Sequence, residues 1–395
     1  MNETPGGLRL HIAIFGRRNA GKSTLINALL GQELAITSDV PGTTADPVKK
    51  SVELHPIGPC VMIDTAGFDD TGALGTLRVA KTREVIEKTD MALLVCAGED
   101  LTLERAWAKE LAARKIPTVA VLNKIDALPA AQQLAQRIEA ETGLTPVLVS
   151  AVQRTGIEAL RTAIVRAVPP DFDALSLTGH LTAPGDVVLL VMPQDIQAPK
   201  GRLILPQVQT IRALLDGHCV VVSCTAREMT AALQALAAPP ALIICDSQCF
   251  REVYANKPEG SRLTSFSVLL ARYKGDISAF AEGARAIDAL RPGDRVLIAE
   301  ACTHNAQDGD IGRVKIPALL RKKVGGELQI DVVSGADFKN DLSKYALIIH
   351  CGACMFNRKY VLSRIAAAQH AGVPITNYGI AIAKLTGILP HVELE

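Results

Sequence analysis

The sequence predicts an α/β chain built as three modules on parallel sheets, and three observations carry that prediction. Short apolar runs rich in Val and Ile alternate along the chain with segments of helical spacing, the pattern of strands that need a helix to cross back. The 395 residues exceed what one core holds when a domain takes about 150. An aperiodic stretch rich in Pro, Gly and Asp, PPDFDALSLTGHLTAPGD (169–186), reads as a linker after the first third. The expected modules are 1–170, 183–264 and 268–395.

Composition narrows the function classes. The hydrophobic fraction of 48% can fill several cores, whereas 4% aromatics leave little material for stacking nucleic-acid bases. A net charge of +1 gives no field toward phosphate backbones or anionic membranes. Neither nucleic acid nor membrane is therefore expected as a partner. The start MNETPGGLRLHIAIFG lacks the apolar core of a signal peptide, and no apolar run approaches about 18 residues, so the expected location is cytoplasmic. In such a compartment nine cysteines read as buried thiols or metal ligands rather than disulfides.

HIAIF (11–15) is the first strand, and GRRNAGKS (16–23) followed by the helix TLINALLG (24–31) gives G-x-x-x-x-G-K-S in the strand-loop-helix context it requires. Gly16, Asn19, Ala20, Gly21, Lys22, Ser23 and Thr24 are expected around the phosphates, with Lys22 on the β and γ oxygens and Ser23 on Mg²⁺. CVMIDTAG (60–67) is a second strand, whose Asp64 holds the metal through water and whose Gly67 amide senses the γ-phosphate. VAVLNKID (119–126) supplies Asn123, Lys124 and Asp126; the Asp126 carboxylate accepts from two donors on the guanine edge that adenine lacks, which selects GTP. VLVSA (147–151) brings Ser150 and Ala151 to the base. Four motifs at successive strand ends make this a P-loop GTPase domain. In DVPGTTADP (39–47), Thr43 and Thr44 are the switch threonines, Thr44 being the expected Mg²⁺ ligand.

GRRNAGKS, PGTT and DTAG together resemble the TrmE and Era group of GTPases. That resemblance implies a potassium ion held by Asn19 beside the phosphates. Ala45 stands where the group has Arg, and Phe68 follows D-x-x-G where many GTPases place a water-orienting Gln. Slow, potassium-stimulated hydrolysis is the expectation.

VVLLVM (187–192), CVVVS (219–223) and ALIIC (241–245) predict a small three-stranded parallel sheet that stabilises itself by dimerisation. Cys245 and Cys249 there read as ordinary buried thiols. In the last third, VLIAEAC (296–302) ends on Cys302 with His304 beyond it, ALIIHC (346–351) delivers His350 and Cys351 with Cys354 following, and VPITNY (373–378) is a third strand. Three thiols at neighbouring strand ends suit a 4Fe-4S cluster with one iron left for a replaceable ligand, and His304 or His350 is the candidate for it; a structural zinc site meets the same ligand count.

EACTHN, DIGRVKIP (310–317), HCGACMFNR (350–358), VPITNYGIAIA (373–383) and ARYKGD (271–276) resemble the HydF family of GTPases in FeFe-hydrogenase maturation. The resemblance spans essentially the whole chain. It implies a homodimer with a P-loop GTPase domain, a dimerisation domain and an iron-sulfur domain holding a 4Fe-4S cluster on Cys302, Cys351 and Cys354. It further implies a carrier that receives a diiron precursor from HydE and HydG and passes it to apo-hydrogenase HydA. The rival reading, a ribosome- or RNA-associated GTPase, accounts for the first 170 residues but not for the thiol-bearing tail.

Overall fold

The computed structural model describes residues 6–31, 47–69, 79, 81–170, 172, 175–193, 203–300, 310–335, 338 and 341–394. It divides into two compact units, Met1–Ala174 and Leu175–Glu395.

The first unit is a six-stranded sheet. Its strands are β1 (Leu10–Gly16), β2 (Val48–Leu54), β3 (Gly58–Asp64), β4 (Met91–Cys96), β5 (Thr118–Leu122) and β6 (Val147–Leu148), in the order β2-β3-β1-β4-β5-β6. All neighbours are parallel except β2, which runs against β3 at the edge. Period-two alternation assigns the faces: Leu10, Ile12 and Ile14 of β1 enter one core, and Ala13 and Phe15 enter another. With both faces covered, β1 and β4 must be apolar nearly throughout, as they are. The strand order reverses beside β1, which makes its C-terminal end the crevice of the sheet.

The second unit holds two parallel sheets. One contains β7 (Val187–Val191), β8 (Val220–Cys224), β9 (Leu242–Cys245) and β10 (Arg262–Ser265), ordered β10-β9-β7-β8; the other contains β11 (Arg295–Ala299), β12 (Gln329–Val333), β13 (Leu347–His350) and β14 (Ile375–Asn377), ordered β12-β11-β13-β14. The middle sheet thus has four strands rather than the expected three. Its extra member, RLTS, is too short and polar to show in an apolar pattern, and it is buried through its neighbours. The expected linker also departs from the sequence reading: Leu177 and Leu181 are buried in one core with Val188, Leu190 and Leu242, so its second half is part of this unit. The helix Phe266–Lys274 starts at the boundary expected between the second and third modules, and it packs both ways. Phe266, Leu269 and Leu270 join the core with Leu190, whereas Val268 and Ala271 join the core with Val296 and Ile349. Among the described residues no helix is long and apolar enough to cross a membrane.

Candidate functional site

In the first unit the phosphate loop leaves β1 at Gly16 and reaches the helix Lys22–Leu30 through Gly21, whose φ of 86° lies in the left-handed region. Any Cβ at Gly21 would collide with the Asn123 side chain, so glycine is required on steric grounds as well. Asn123 is 1% exposed and ties three motifs together. Its amide donates to the Ala20 carbonyl (2.9 Å), and its oxygen accepts from the Ala151 N–H (3.1 Å). Sequence reasoning placed Asn123 at the nucleotide; the structure gives it the task of holding the phosphate loop against the two base-recognition loops.

Lys22 is buried, and its ammonium donates to the carbonyls of Gly16 (3.0 Å) and Arg17 (2.8 Å), folded back over the loop that phosphates would fill. Ser23 Oγ donates to Asp64 Oδ2 at 2.5 Å. Burial pushes the Asp64 carboxyl above its usual range, while the Ser23 hydroxyl and the charges of Lys22 and Lys50 pull it back. Its other oxygen, Oδ1, is buried and has no hydrogen-bond partner. A hydroxyl and a half-satisfied carboxylate side by side fit a hydrated Mg²⁺, which would supply a counter-charge for the phosphates. Gly67 lies against the phosphate loop: a Cβ there would come within 2.5 Å of the Arg18 nitrogen, and Asp69 Oδ1 accepts from that same N–H (2.5 Å). The switch-side motif and the phosphate loop therefore meet at Arg18.

Asn19 has a φ of 59° and is exposed, as is Thr24. Asp126 is exposed in the short turn Ile125–Ala127, after Lys124 in the left-handed region (φ 63°). Ser150 is fully buried, and its Oγ accepts from the Gln153 N–H (3.1 Å), which shapes the loop that offers Ala151. Phe68 is buried against Trp107 with ring centroids 5.4 Å apart, and Phe15 stacks on the same indole at 5.1 Å. It is a core residue, consistent with the expectation that it orients no water. Thr43 and Thr44 lie outside the described residues. One contributor missed from sequence is Arg17, whose guanidinium is fixed by Glu104 (2.9 Å) and Asp100 (2.9 Å) and so anchors the first turn of the loop.

In the second unit the strand ends meet as expected. Register places Ala299 of β11 beside His350 of β13, and His350 beside Asn377 of β14. Cys351 leaves this edge with its N–H on the Ala299 carbonyl (3.0 Å), and both Cys351 and Cys354 are partly exposed thiols. Ala353 adopts a φ of 48°, which turns its N–H onto Cys351 Sγ (3.4 Å). Amide donation to sulfur at a strand end fits thiolate ligation of an iron-sulfur group, which would supply one-electron chemistry and an open iron. Cys302 and His304 lie outside the described residues, and among the described residues no three His, Cys, Asp or Glu side chains converge on a metal position. Cys245 is fully buried at the end of β9, and burial raises the Cys249 thiol to about 11, in keeping with inert thiols.

His350 is fully buried. Desolvation, then the Arg364 charge, lower it to about 3, so the ring is neutral. Its Nδ1 pairs with the Cys351 carbonyl (2.6 Å) and its Nε2 with the Arg364 guanidinium (3.0 Å), which assigns the proton to Nδ1. With both nitrogens engaged, the imidazole anchors the backbone of Cys351 and does not present a nitrogen to the strand end. Arg364 is itself buried between Phe338 and Tyr360, with the guanidinium 4.7 and 4.6 Å from the ring centres. Asn377 caps the helix Tyr378–Leu385 by accepting from the Gly379 N–H (2.8 Å).

Comparison with known proteins gives one family match inside the first unit and two inside the second. Residues 11–124 match the family model of a 50S ribosome-binding GTPase, 177–275 the hydrogen maturase F dimerization domain, and 278–393 the hydrogen maturase F tetramerization domain. The tRNA modification GTPase MnmE of Nitrosomonas eutropha is 35% identical over 161 residues, 40% of this chain and 35% of that protein; MnmE of Heliobacterium modesticaldum is 40% identical over 162 residues, 40% of this chain and 34% of that protein. The chain thus spans about a third of the length of these curated relatives. Among solved structures, a point variant of Aquifex aeolicus Era bound to GDP·AlF4⁻ is similar at 22% identity and a TM-score of 0.36, covering 57% of this chain and 98% of that one. The probable GTP-binding protein engB is similar at 22% identity and a TM-score of 0.35, covering 40% of this chain and 98% of that one. The first unit is a GTP-hydrolysing domain, the two matches behind it are assembly domains, and the chain belongs to the hydrogen maturase F family.

Proposed function

We propose that the chain is a metallocluster scaffold and carrier in hydrogenase maturation: it holds a 4Fe-4S cluster on Cys302, Cys351 and Cys354, accepts a diiron precursor from HydE and HydG, and delivers it to apo-hydrogenase HydA. The observation that supports this most is the C-x-x-C loop at the end of β13, with an amide already turned onto Cys351 sulfur. The match to the tRNA modification GTPases covers about 160 residues, 40% of this chain. Three thiolates leave one iron to an exchangeable ligand, the feature a carrier needs. With His350 engaged by Arg364, His304 is the histidine proposed for that place. We propose a dimer formed through 177–275, with the exposed edge strand β8 and its Val220 giving the surface a reason to pair, and action in the cytoplasm. Anaerobic purification followed by iron and acid-labile sulfide analysis tests the cluster. About four of each per chain is expected, and zinc in their place would overturn the carrier reading.

Hydrolysis is proposed to be slow and potassium-stimulated, because Phe68 is buried in an aromatic stack and Asn19 stands exposed on the phosphate loop. Turnover in KCl is expected to exceed turnover in NaCl at equal ionic strength, and Asn19→Ala to remove the difference. Equal rates for the wild type in the two salts would reject potassium as an activator.

A further inference from the structure

Lys274 ends the helix Phe266–Lys274, far in sequence from the C-x-x-C loop, yet it is 1% exposed and aimed into that loop. Its ammonium donates to the carbonyls of Ala353 (3.1 Å), Cys354 (2.9 Å) and Phe356 (2.8 Å). An ammonium has three N–H donors, and here three carbonyls of one loop receive them. A second cation ties the same two segments in the opposite sense. Arg358, the first residue of the helix Arg358–His370, donates to the carbonyls of Tyr273 (2.8 Å) and Gly275 (3.0 Å), on either side of Lys274. Burying a lysine is costly unless its charge is used, and charge-assisted hydrogen bonds are about twice as strong as neutral ones. Holding the carbonyls of Ala353, Cys354 and Phe356 on one cation fixes three peptide planes of the loop. The Ala353 carbonyl held by Lys274 fixes the peptide plane on one side of Ala353, the Ala353 N–H on Cys351 Sγ fixes the plane on the other, and the two together support the left-handed φ between them, a conformation an alanine does not adopt without support.

We infer that Lys274 is the positioning residue of the cluster loop: it folds Cys351–Phe356 into its ligating shape before any iron arrives, and its buried charge favours the reduced, more anionic state of a cluster held there. The first half concerns the protein alone. The second half rests on the cluster reading proposed above.

Three measurements on the protein test this. Hydrogen exchange on the metal-free wild type reads preorganisation: amides of 352–357 are expected to exchange at least about tenfold more slowly than an open chain, and exchange at the open-chain rate overturns the first half. Lys274→Met keeps the length and removes the charge, while Lys274→Gln keeps an amide donor without the charge. After anaerobic reconstitution, Lys274→Met is expected to lose iron to a chelator about tenfold faster than wild type. Both variants are expected to shift the one-electron reduction of the cluster by a chemical titrant about tenfold toward the oxidised form, ~59 mV. Midpoints equal to wild type in both overturn the electrostatic half. Chelation as slow in Lys274→Met as in wild type overturns the positioning half. GTP hydrolysis, which resides in the other unit, controls for folding; if neither variant folds, the exchange experiment on the wild type still decides the first half. A wild type that holds no iron and sulfide would sink the cluster reading and leave the exchange result standing.

Discussion

Replacing Asp126 by Asn is expected to weaken GTP by about 10²- to 10⁴-fold and to improve xanthosine triphosphate. The reason is geometric and electrostatic. The turn Ile125–Ala127 leaves the Asp126 side chain exposed at the end of β5, close in sequence to Asn123, which is hydrogen-bonded to both the phosphate loop and the Ala151 loop. A base held there would meet a carboxylate that accepts from the ring N–H and the exocyclic amine of guanine. Hydrogen bonds to a charged partner contribute about 1.5–3 kcal/mol each, so the loss of two, with an amide NH₂ now facing the amine, gives the stated range. Xanthine carries a carbonyl where guanine has the amine, and the asparagine NH₂ can donate to it. Calorimetry with GTP, ATP and xanthosine triphosphate on both proteins checks the result; unaltered preference for GTP in the variant would show that Asp126 does not read the base.

The nucleotide site was legible because its chemistry is written in contiguous motifs at strand ends. HIAIF, CVMID and VAVL became β1, β3 and β5 within a residue or two. What the motifs could not reveal is how they are joined. Asn123 reads in sequence as a ligand of the nucleotide, but its amide and oxygen both end on protein, a long-range pairing that no local pattern encodes. Arg17 is similarly opaque, since its partners Asp100 and Glu104 lie on the far side of β4 in sequence.

In the second unit, the strands ending at His350 and Asn377 were visible as apolar runs, and their side-by-side register follows from parallel pairing. Two of the four edge strands, β10 and β12, were not visible: β10 is short and carries two hydroxyl side chains although it is mostly buried, and β12 is partly exposed, so neither makes a continuous apolar run. His350 shows the limit of reading ligands from spacing: a histidine next to a cysteine looks available, yet its Nδ1 is paired with the Cys351 carbonyl and its Nε2 with Arg364. Lys274 could not be found at all, because its role depends on three backbone carbonyls about 80 residues away.

Serine substitutions at Cys302, Cys351 and Cys354 are expected to have the largest effect on the second unit, each abolishing a stable 4Fe-4S cluster while leaving GTP hydrolysis intact. A serine hydroxyl is a hard, weakly acidic donor, whereas the irons of such a cluster are bound by soft thiolates, and a site with three protein ligands has none to spare. Of the two described thiols, Cys351 follows directly on β13 and receives the Ala353 N–H, and Cys354 packs against the core that holds Leu269 and Leu270. Cys249→Ser is the control. That thiol sits in the turn Ser247–Cys249 after β9, is held protonated by burial, and is expected to leave iron and sulfide content unchanged. Paramagnetic resonance of the dithionite-reduced proteins reads the outcome, alongside GTP turnover in the same samples. A full cluster signal in Cys302→Ser, Cys351→Ser or Cys354→Ser would strike that residue from the ligand set, and loss of both the cluster and GTP turnover would mark the substitution as a folding defect. Loss of the signal in the first three with retention in Cys249→Ser would leave Cys302, Cys351 and Cys354 as the ligand set, one of which, Cys351, already receives an amide on its sulfur.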